Sequence, residues 1–127
     1  MERLFLILAG INGFLAVALG AFGAHGLRSS LAGAENGARR LEVWETASHY
    51  HLIHAVALAV VAYLCSRTQV GAGVWAGYLF QAGIVLFSGS LYVLGATGIT
   101  KLGAITPFGG LCFLAGWALI GWAAYRL

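Results

Sequence analysis

Charge is scarce in this 127-residue chain: 9% of the residues are charged and 61% are apolar. A soluble domain normally carries about a quarter charged residues, because charge covers its water-facing surface. The stretch between Arg3 and Arg28 contains no acidic or basic side chain except His25, and the stretch between Arg67 and Lys101 contains none. Each is long enough for a helix of about 20 apolar residues, which crosses a bilayer. The composition excludes a soluble globular protein and predicts an integral membrane protein.

Further absences exclude other classes of protein. The basic residues behind the net charge of +3 are scattered, so we expect no nucleic-acid partner. A Cys-x-x-Cys-His motif, which attaches haem covalently, is missing. Small multidrug carriers rely on an acidic residue deep within a helix, whereas here Glu45 is the acid nearest to a span. Cys65 and Cys112 are predicted at different depths, too far apart for a disulfide.

The apolar runs predict a single transmembrane domain over residues 1–127, an all-α bundle of four helices. The spans are predicted at about 4–24, 47–64, 74–94 and 106–125, all helical because lipid offers no partner to free backbone groups. The first run exceeds the 7–15 residues of a signal-peptide core, so we expect it to be retained. A polar loop is predicted from His25 to about Gly37, and an amphipathic interfacial extension precedes the second span. Thr106 before Pro107 is typical of a helix N-cap.

Four spans place both termini and the connection at Arg67 on one membrane face, side A. The loops near Arg28 and Lys101 then lie on the opposite face, side B. Side A carries three basic residues and side B four, so the positive-inside rule does not fix the orientation. Small residues, which permit close helix packing within one chain or between copies, recur every fourth residue in two spans. They are Ala16, Gly20 and Ala24, and Gly73 and Gly77.

A helical wheel at about 100° per residue divides the second helix into two faces. One face carries Glu42, Glu45 and His49 and is predicted to lie toward water or headgroups. The opposite face carries His51 and His54, which are predicted to point into the bundle, as ionisable residues inside membranes usually do.

Polar side chains from all four helices are predicted at one depth, in the third of the bundle nearest side B, at about 1.5 Å of rise per residue. Such a cluster is open to three interpretations: a hydrogen-bonded network that fixes helix register, a site for a proton or small solute, or a metal or haem site. We expect no metal ion and no cofactor, because no acidic residue accompanies the histidines deep in the span. The cluster comprises His25, His51, His54, Ser88, Tyr92 and Thr106.

Two polar residues outside this cluster also need partners. Asn12, midway through the first span, must find a hydrogen bond inside the protein, because an unpaired amide in hydrocarbon costs on the order of several kcal/mol. Ser90 falls on the opposite face from Ser88, where its hydroxyl is predicted to bond back to a carbonyl one turn earlier.

Four motifs in order resemble one protein family. They are Gly20 to Leu27 (GAFGAHGL), Trp44 to Ala47 (WETA) followed by Tyr50, His51 and His54, Leu86 to Tyr92 (LFSGSLY), and Leu102 to Gly110 (LGAITPFGG). Together they span nearly the whole chain. They resemble the small membrane proteins called domain of unknown function 423, whose eukaryotic relatives are called transmembrane protein 256. The resemblance implies a multi-pass protein, usually of the bacterial inner (plasma) membrane, and brings no established activity.

These observations predict a non-enzymatic accessory, assembly or oligomeric membrane subunit. Its expected partners are membrane lipids and either further copies of the chain or a larger membrane complex. The alternative is a minimal proton or small-solute carrier that uses His51, His54 and Ser88. An enzyme is a third class: no nucleophile–base pair with the required spacing is evident, so no catalytic residue is assigned, although Ser88 near His54 stays open.

Overall fold

The computed structural model describes residues 1–69 and 71–127, and within these ranges it is helical with no strand. Four of its helical segments are long and apolar enough to cross a membrane. The predicted all-α bundle of four transmembrane helices is therefore confirmed. The elements are α1 (Glu2–Ser30), α2 (Gly37–Arg67), α3 (Gly71–Thr97), a short 3-10 segment (Thr100–Ala104) and α4 (Thr106–Tyr125).

Helix α1 continues beyond its predicted end, so the loop expected to start at His25 starts instead at Leu31. Gly23–Leu27 forms a π turn, after which the helix resumes for one further turn. Two serine hydroxyls support this last part, since Ser29 donates to the His25 carbonyl and Ser30 to the Gly26 carbonyl, both at 3.0 Å. Such bonds satisfy backbone carbonyls near a helix end without a loop.

Helices α2 and α3 form the centre of the bundle, with α1 packed against α2 and α4 packed against α3. In the apolar 18-residue stretches of α2 and α3, 44% of the residues are buried inside the bundle. The corresponding stretches of the α1 and α4 segments are 17% buried. The main core draws on all four helices through Phe5, Leu58, Val61, Phe80 and Phe113.

Aromatic rings in this bundle lie over glycines of neighbouring helices, where a larger residue would overlap the ring. The pairs are Phe5 over Gly77, Phe80 over Gly116, Phe113 over Gly83 and Trp44 over Gly23. Among the predicted small residues, Ala16 is buried and Gly20 lies beside Ser48 of α2. Gly73 similarly lies beside the end of α2, at Cys65. Most of these small residues therefore serve packing within one chain.

The side-B ends of α2 and α3 are joined through Arg40. Its Nε donates to the Gly95 carbonyl at 2.9 Å, and a second guanidinium nitrogen donates to the Ala96 carbonyl. Helix α3 ends at Thr97 and is followed by Gly98, whose φ of 74° is the left-handed conformation typical of a helix terminus. Arg40 thus satisfies carbonyls that the last turn of α3 leaves without helical partners.

Gly109 provides a test of the contact between α3 and α4, because a methyl group there would overlap the backbone nitrogen of Phe87. We expect Gly109→Ala to lower the free energy of unfolding by about 1–3 kcal/mol, as overpacking does. Gly121→Ala is the matched control on the same helix, since nothing lies within 4 Å of its added methyl. Thermal unfolding of the two variants in detergent checks this, and equal midpoints would contradict the contact.

Candidate functional site

A chain of hydrogen bonds, here called the polar network, joins α1, α2 and α3 inside the bundle. His51 Nδ1 lies 3.0 Å from the Tyr92 hydroxyl, and His51 Nε2 lies 3.1 Å from Asn12 Oδ1. Asn12 Nδ2 donates to Gln81 Oε1 at 2.9 Å and to the Leu8 carbonyl at 2.8 Å. His51 and Asn12 are both buried. The prediction that Asn12 forms a hydrogen bond inside the protein is thus confirmed.

The bonding partners determine which nitrogen of His51 carries the proton. The Leu8 carbonyl only accepts, so the amide nitrogen of Asn12 faces it and the amide oxygen faces His51. His51 Nε2 must then donate, and in the neutral ring Nδ1 accepts from the Tyr92 hydroxyl. The neutral ring of His51 therefore carries its proton on Nε2, and neither ring nitrogen is free for a ligand.

His54 lies about one turn after His51 on α2 and contacts α4. Its Nδ1 lies 2.7 Å from the Tyr50 carbonyl, and the Trp117 indole N–H donates to its Nε2 at 3.1 Å. The ring stacks on Phe113, with centroids 3.5 Å apart and planes 7° apart. A carbonyl only accepts and an indole only donates, so the proton of His54 is on Nδ1. His54 is thus neutral, and its proton is on the nitrogen opposite to the one that carries the proton in the neutral ring of His51.

Two serines connect α3 to its neighbours. Ser88 lies in a π turn of α3, Ile84–Gly89, is fully buried and donates to the Ala47 carbonyl of α2 at 2.9 Å. Ser90 donates to the Phe87 carbonyl at 3.0 Å, as predicted, and its hydroxyl lies 2.7 Å from that of Thr106. The predicted N-cap role of Thr106 is wrong: Ile105 occupies that position, and the Thr106 hydroxyl bonds to Ser90 instead.

The six residues of the predicted cluster lie in four places. His51 and Tyr92 are in direct contact, and Ser88 bonds to α2 one turn before His51. The others are separate: His54 lies against α4, Thr106 pairs with Ser90, and His25 is exposed in the π turn of α1.

The wheel prediction for α2 is confirmed by burial. His51 and His54 are 4% and 3% exposed, whereas Glu42, Glu45 and His49 are exposed.

Within residues 1–69 and 71–127, every buried side-chain nitrogen or oxygen has a hydrogen-bond partner. No three His, Cys, Asp or Glu side chains in the same ranges are grouped so that they could hold a metal ion.

The partners of His54 were missed by the sequence argument. Phe113 and Trp117 are four residues apart on α4, so their shared face was readable from the sequence. Nothing in the sequence indicates that this face meets His54, because the contact depends on how α4 is rotated against α2. The bonds from Arg40 to the end of α3 were likewise not predicted from the sequence.

Comparison with known proteins identifies relatives over almost the whole chain. The family described as "Protein of unknown function (DUF423)" matches residues 19–110. The UPF0382 membrane protein YwdK of Bacillus subtilis is 49% identical over 125 residues, covering 98% of each chain. The UPF0382 membrane protein SAB0533 of Staphylococcus aureus is 42% identical, covering 98% of this chain and 97% of its own. No solved structure matches the chain.

The hydrogen bonds of the two buried histidines predict a spectroscopic signature. In protein reconstituted in lipid, 15N solid-state NMR should detect both rings as neutral, His51 protonated on Nε2 and His54 on Nδ1. His51→Gln and His54→Gln assign the signals. The same tautomer for both rings would contradict the assigned partners.

The polar network also predicts energetic coupling between α1 and α2. In a double-mutant cycle, Asn12→Ala and His51→Ala should couple by about 0.6–1.7 kcal/mol, from the mean to the largest value measured for hydrogen bonds between membrane helices. A cycle of Asn12→Ala with His49→Ala is the control, because His49 is exposed. Unfolding in mixed micelles measures both cycles, and additive effects of Asn12→Ala and His51→Ala would refute the bond.

Proposed function

This chain belongs to the DUF423 family of multi-pass membrane proteins, and from that premise we propose that it is a non-enzymatic accessory subunit, acting in a larger membrane complex or as an oligomer of itself. The observation that carries the proposal is the engagement of the buried polar side chains: in the described ranges, each of them bonds within the chain. Interaction with other molecules then falls to the outer surfaces of the helices.

The hydrogen bonding of Ser88 supports the non-enzymatic assignment. A catalytic serine needs its hydroxyl proton to be taken by a neighbouring base. The Ser88 hydroxyl donates instead to the Ala47 backbone carbonyl, and His54 receives its hydrogen bond from Trp117. Neither residue is paired as a nucleophile with its base.

The outer face of α1 suits contact with another membrane helix. Nothing lies within 4 Å of the position that a Cβ would take at Gly10 or Gly13. Phe14 and Val17 follow on the same helix and are 75% and 62% exposed. Glycines let a second backbone approach closely in lipid, and large apolar neighbours then pack against it. We therefore assign the partner contact to this face.

The carrier alternative is favoured by one observation, the hydrogen-bonded chain from Tyr92 through His51 and Asn12 to Gln81. A proton relay needs members that accept a proton at one atom while releasing one from another. The carboxamides of Asn12 and Gln81 bear a carbonyl acceptor and an NH₂ donor group without a titratable proton. The chain is thus better suited to holding three helices in register than to moving protons.

Site-specific photo-crosslinking tests the subunit assignment. With p-benzoylphenylalanine in place of Phe14, irradiation of native membranes should give a discrete adduct with a protein, either a second copy or another subunit. The matched control is the same replacement at Phe108, which is 64% exposed on α4 and should give lipid adducts. Lipid adducts alone at both positions would contradict the proposal.

A further inference from the structure

A groove of about 670 Å³ runs along the outer surface between α2 and α4, within the range of about 300–1,000 Å³ typical of ligand sites. Its lining is almost wholly apolar. His54 contributes only its ring, because both of its nitrogens are engaged. The principal lining residues are Tyr50 and His54 of α2, Phe87 of α3, and Leu111, Leu114 and Trp117 of α4.

A second hollow of about 480 Å³ continues this groove toward side B. Phe87 and Pro107 line both hollows, so the two adjoin, and Arg39 lies among the residues lining the second. Arg39 and His54 are 15 residues apart on α2, which corresponds to about 22 Å at 1.5 Å of rise per residue. Together the two adjoining hollows, called the joined groove below, extend from the interfacial end of α2 into the membrane.

The chemistry of the groove differs between its ends. At side B, the Arg39 side chain is 72% exposed and pairs at 2.9 Å with Glu42, which is 65% exposed. An exposed ion pair of this kind is weak, so the guanidinium is available to another anion. Arginine binds phosphate oxygens through two parallel hydrogen bonds. The inner end offers aromatic and aliphatic surface.

We propose that the joined groove binds one anionic phospholipid. The lipid phosphate bonds to Arg39, and one acyl chain lies between α2 and α4 as far as Trp117. A long apolar slot with a single cation at its interfacial end matches a molecule with an anionic head and a hydrocarbon tail. Glu42 competes with the phosphate for Arg39, so its removal strengthens binding.

Native mass spectrometry of protein taken from vesicles of phosphatidylcholine and phosphatidylglycerol tests this site. Wild-type protein should retain one phosphatidylglycerol in preference to phosphatidylcholine. Arg39→Gln should lower that retention by about tenfold, the loss of a charged hydrogen bond, and Glu42→Gln should raise it. Arg28→Gln is the charge control, because Arg28 is also exposed on side B and also pairs with a glutamate, Glu45.

A second variant blocks the apolar part of the groove. Gly110 lines it, and a Cβ there would meet only Phe87, at 3.9 Å, so Gly110→Leu should fill the space and abolish retention. Gly121→Leu is the matched control, because it adds the same side chain to α4 at a position that does not line the groove and has nothing within 4 Å of its added Cβ. Arg39→Gln and Glu42→Gln alter exposed residues and still decide the proposal if Gly110→Leu does not fold.

Three results would overturn the proposal. Retention that responds equally to the groove variants and their controls would identify ordinary surrounding lipid. Both lipids could be retained equally, with retention lost in Gly110→Leu and unchanged in Arg39→Gln. That result would show that the groove binds lipid without recognising an anionic headgroup. A lipid-free dimer that is lost in Gly110→Leu would place a second copy of the chain in the groove.

Discussion

A polar side chain inside a membrane must find its hydrogen-bond partner within the protein, and the arrangement of this bundle depends on that requirement. His51 of α2 meets it through Asn12 of α1 and Tyr92 of α3. Trp44 of α2 adds a bond from its indole N–H to the Leu19 carbonyl of α1, at 2.7 Å. Each of these bonds can form only when the two helices that it joins have one relative depth and one relative rotation. They therefore select one register among the many that apolar packing alone would allow.

Apolar packing is fitted around those bonds. Rings lie over glycines of the adjacent helix, as Phe5 lies over Gly77, so helices approach closely without leaving voids. The neutral form of each buried histidine matches its partners: the Asn12 amide oxygen and the Tyr92 hydroxyl for His51, and the Tyr50 carbonyl and the Trp117 N–H for His54. A proton added to His54 would face the Trp117 N–H and break that bond. The histidines thus act as uncharged connectors between helices.

The sequence was sufficient to predict what depends on composition and period. The apolar runs identified four helices, and the wheel of α2 separated buried His51 from exposed His49. The partner of each polar group was not predictable, because it depends on rotations between helices that no single-helix pattern contains. The π turn at Gly23–Leu27 was also not predicted, because the polar His25 suggested a loop. Local hydroxyl bonds extend the helix instead. Thr106 precedes Pro107, as an N-cap residue often does, but its hydroxyl bonds to the Ser90 hydroxyl of α3.

The central claim is that the polar network holds helices together and does not conduct. The most direct test is proton flux into proteoliposomes under an imposed potential, followed with an internal pH dye. The account predicts that wild-type protein gives the same flux as His51→Ala protein and as protein-free vesicles. A wild-type flux well above both, with His51→Ala at the level of empty vesicles and still folded, would contradict it. That result would make the chain from Tyr92 to Gln81 a proton path.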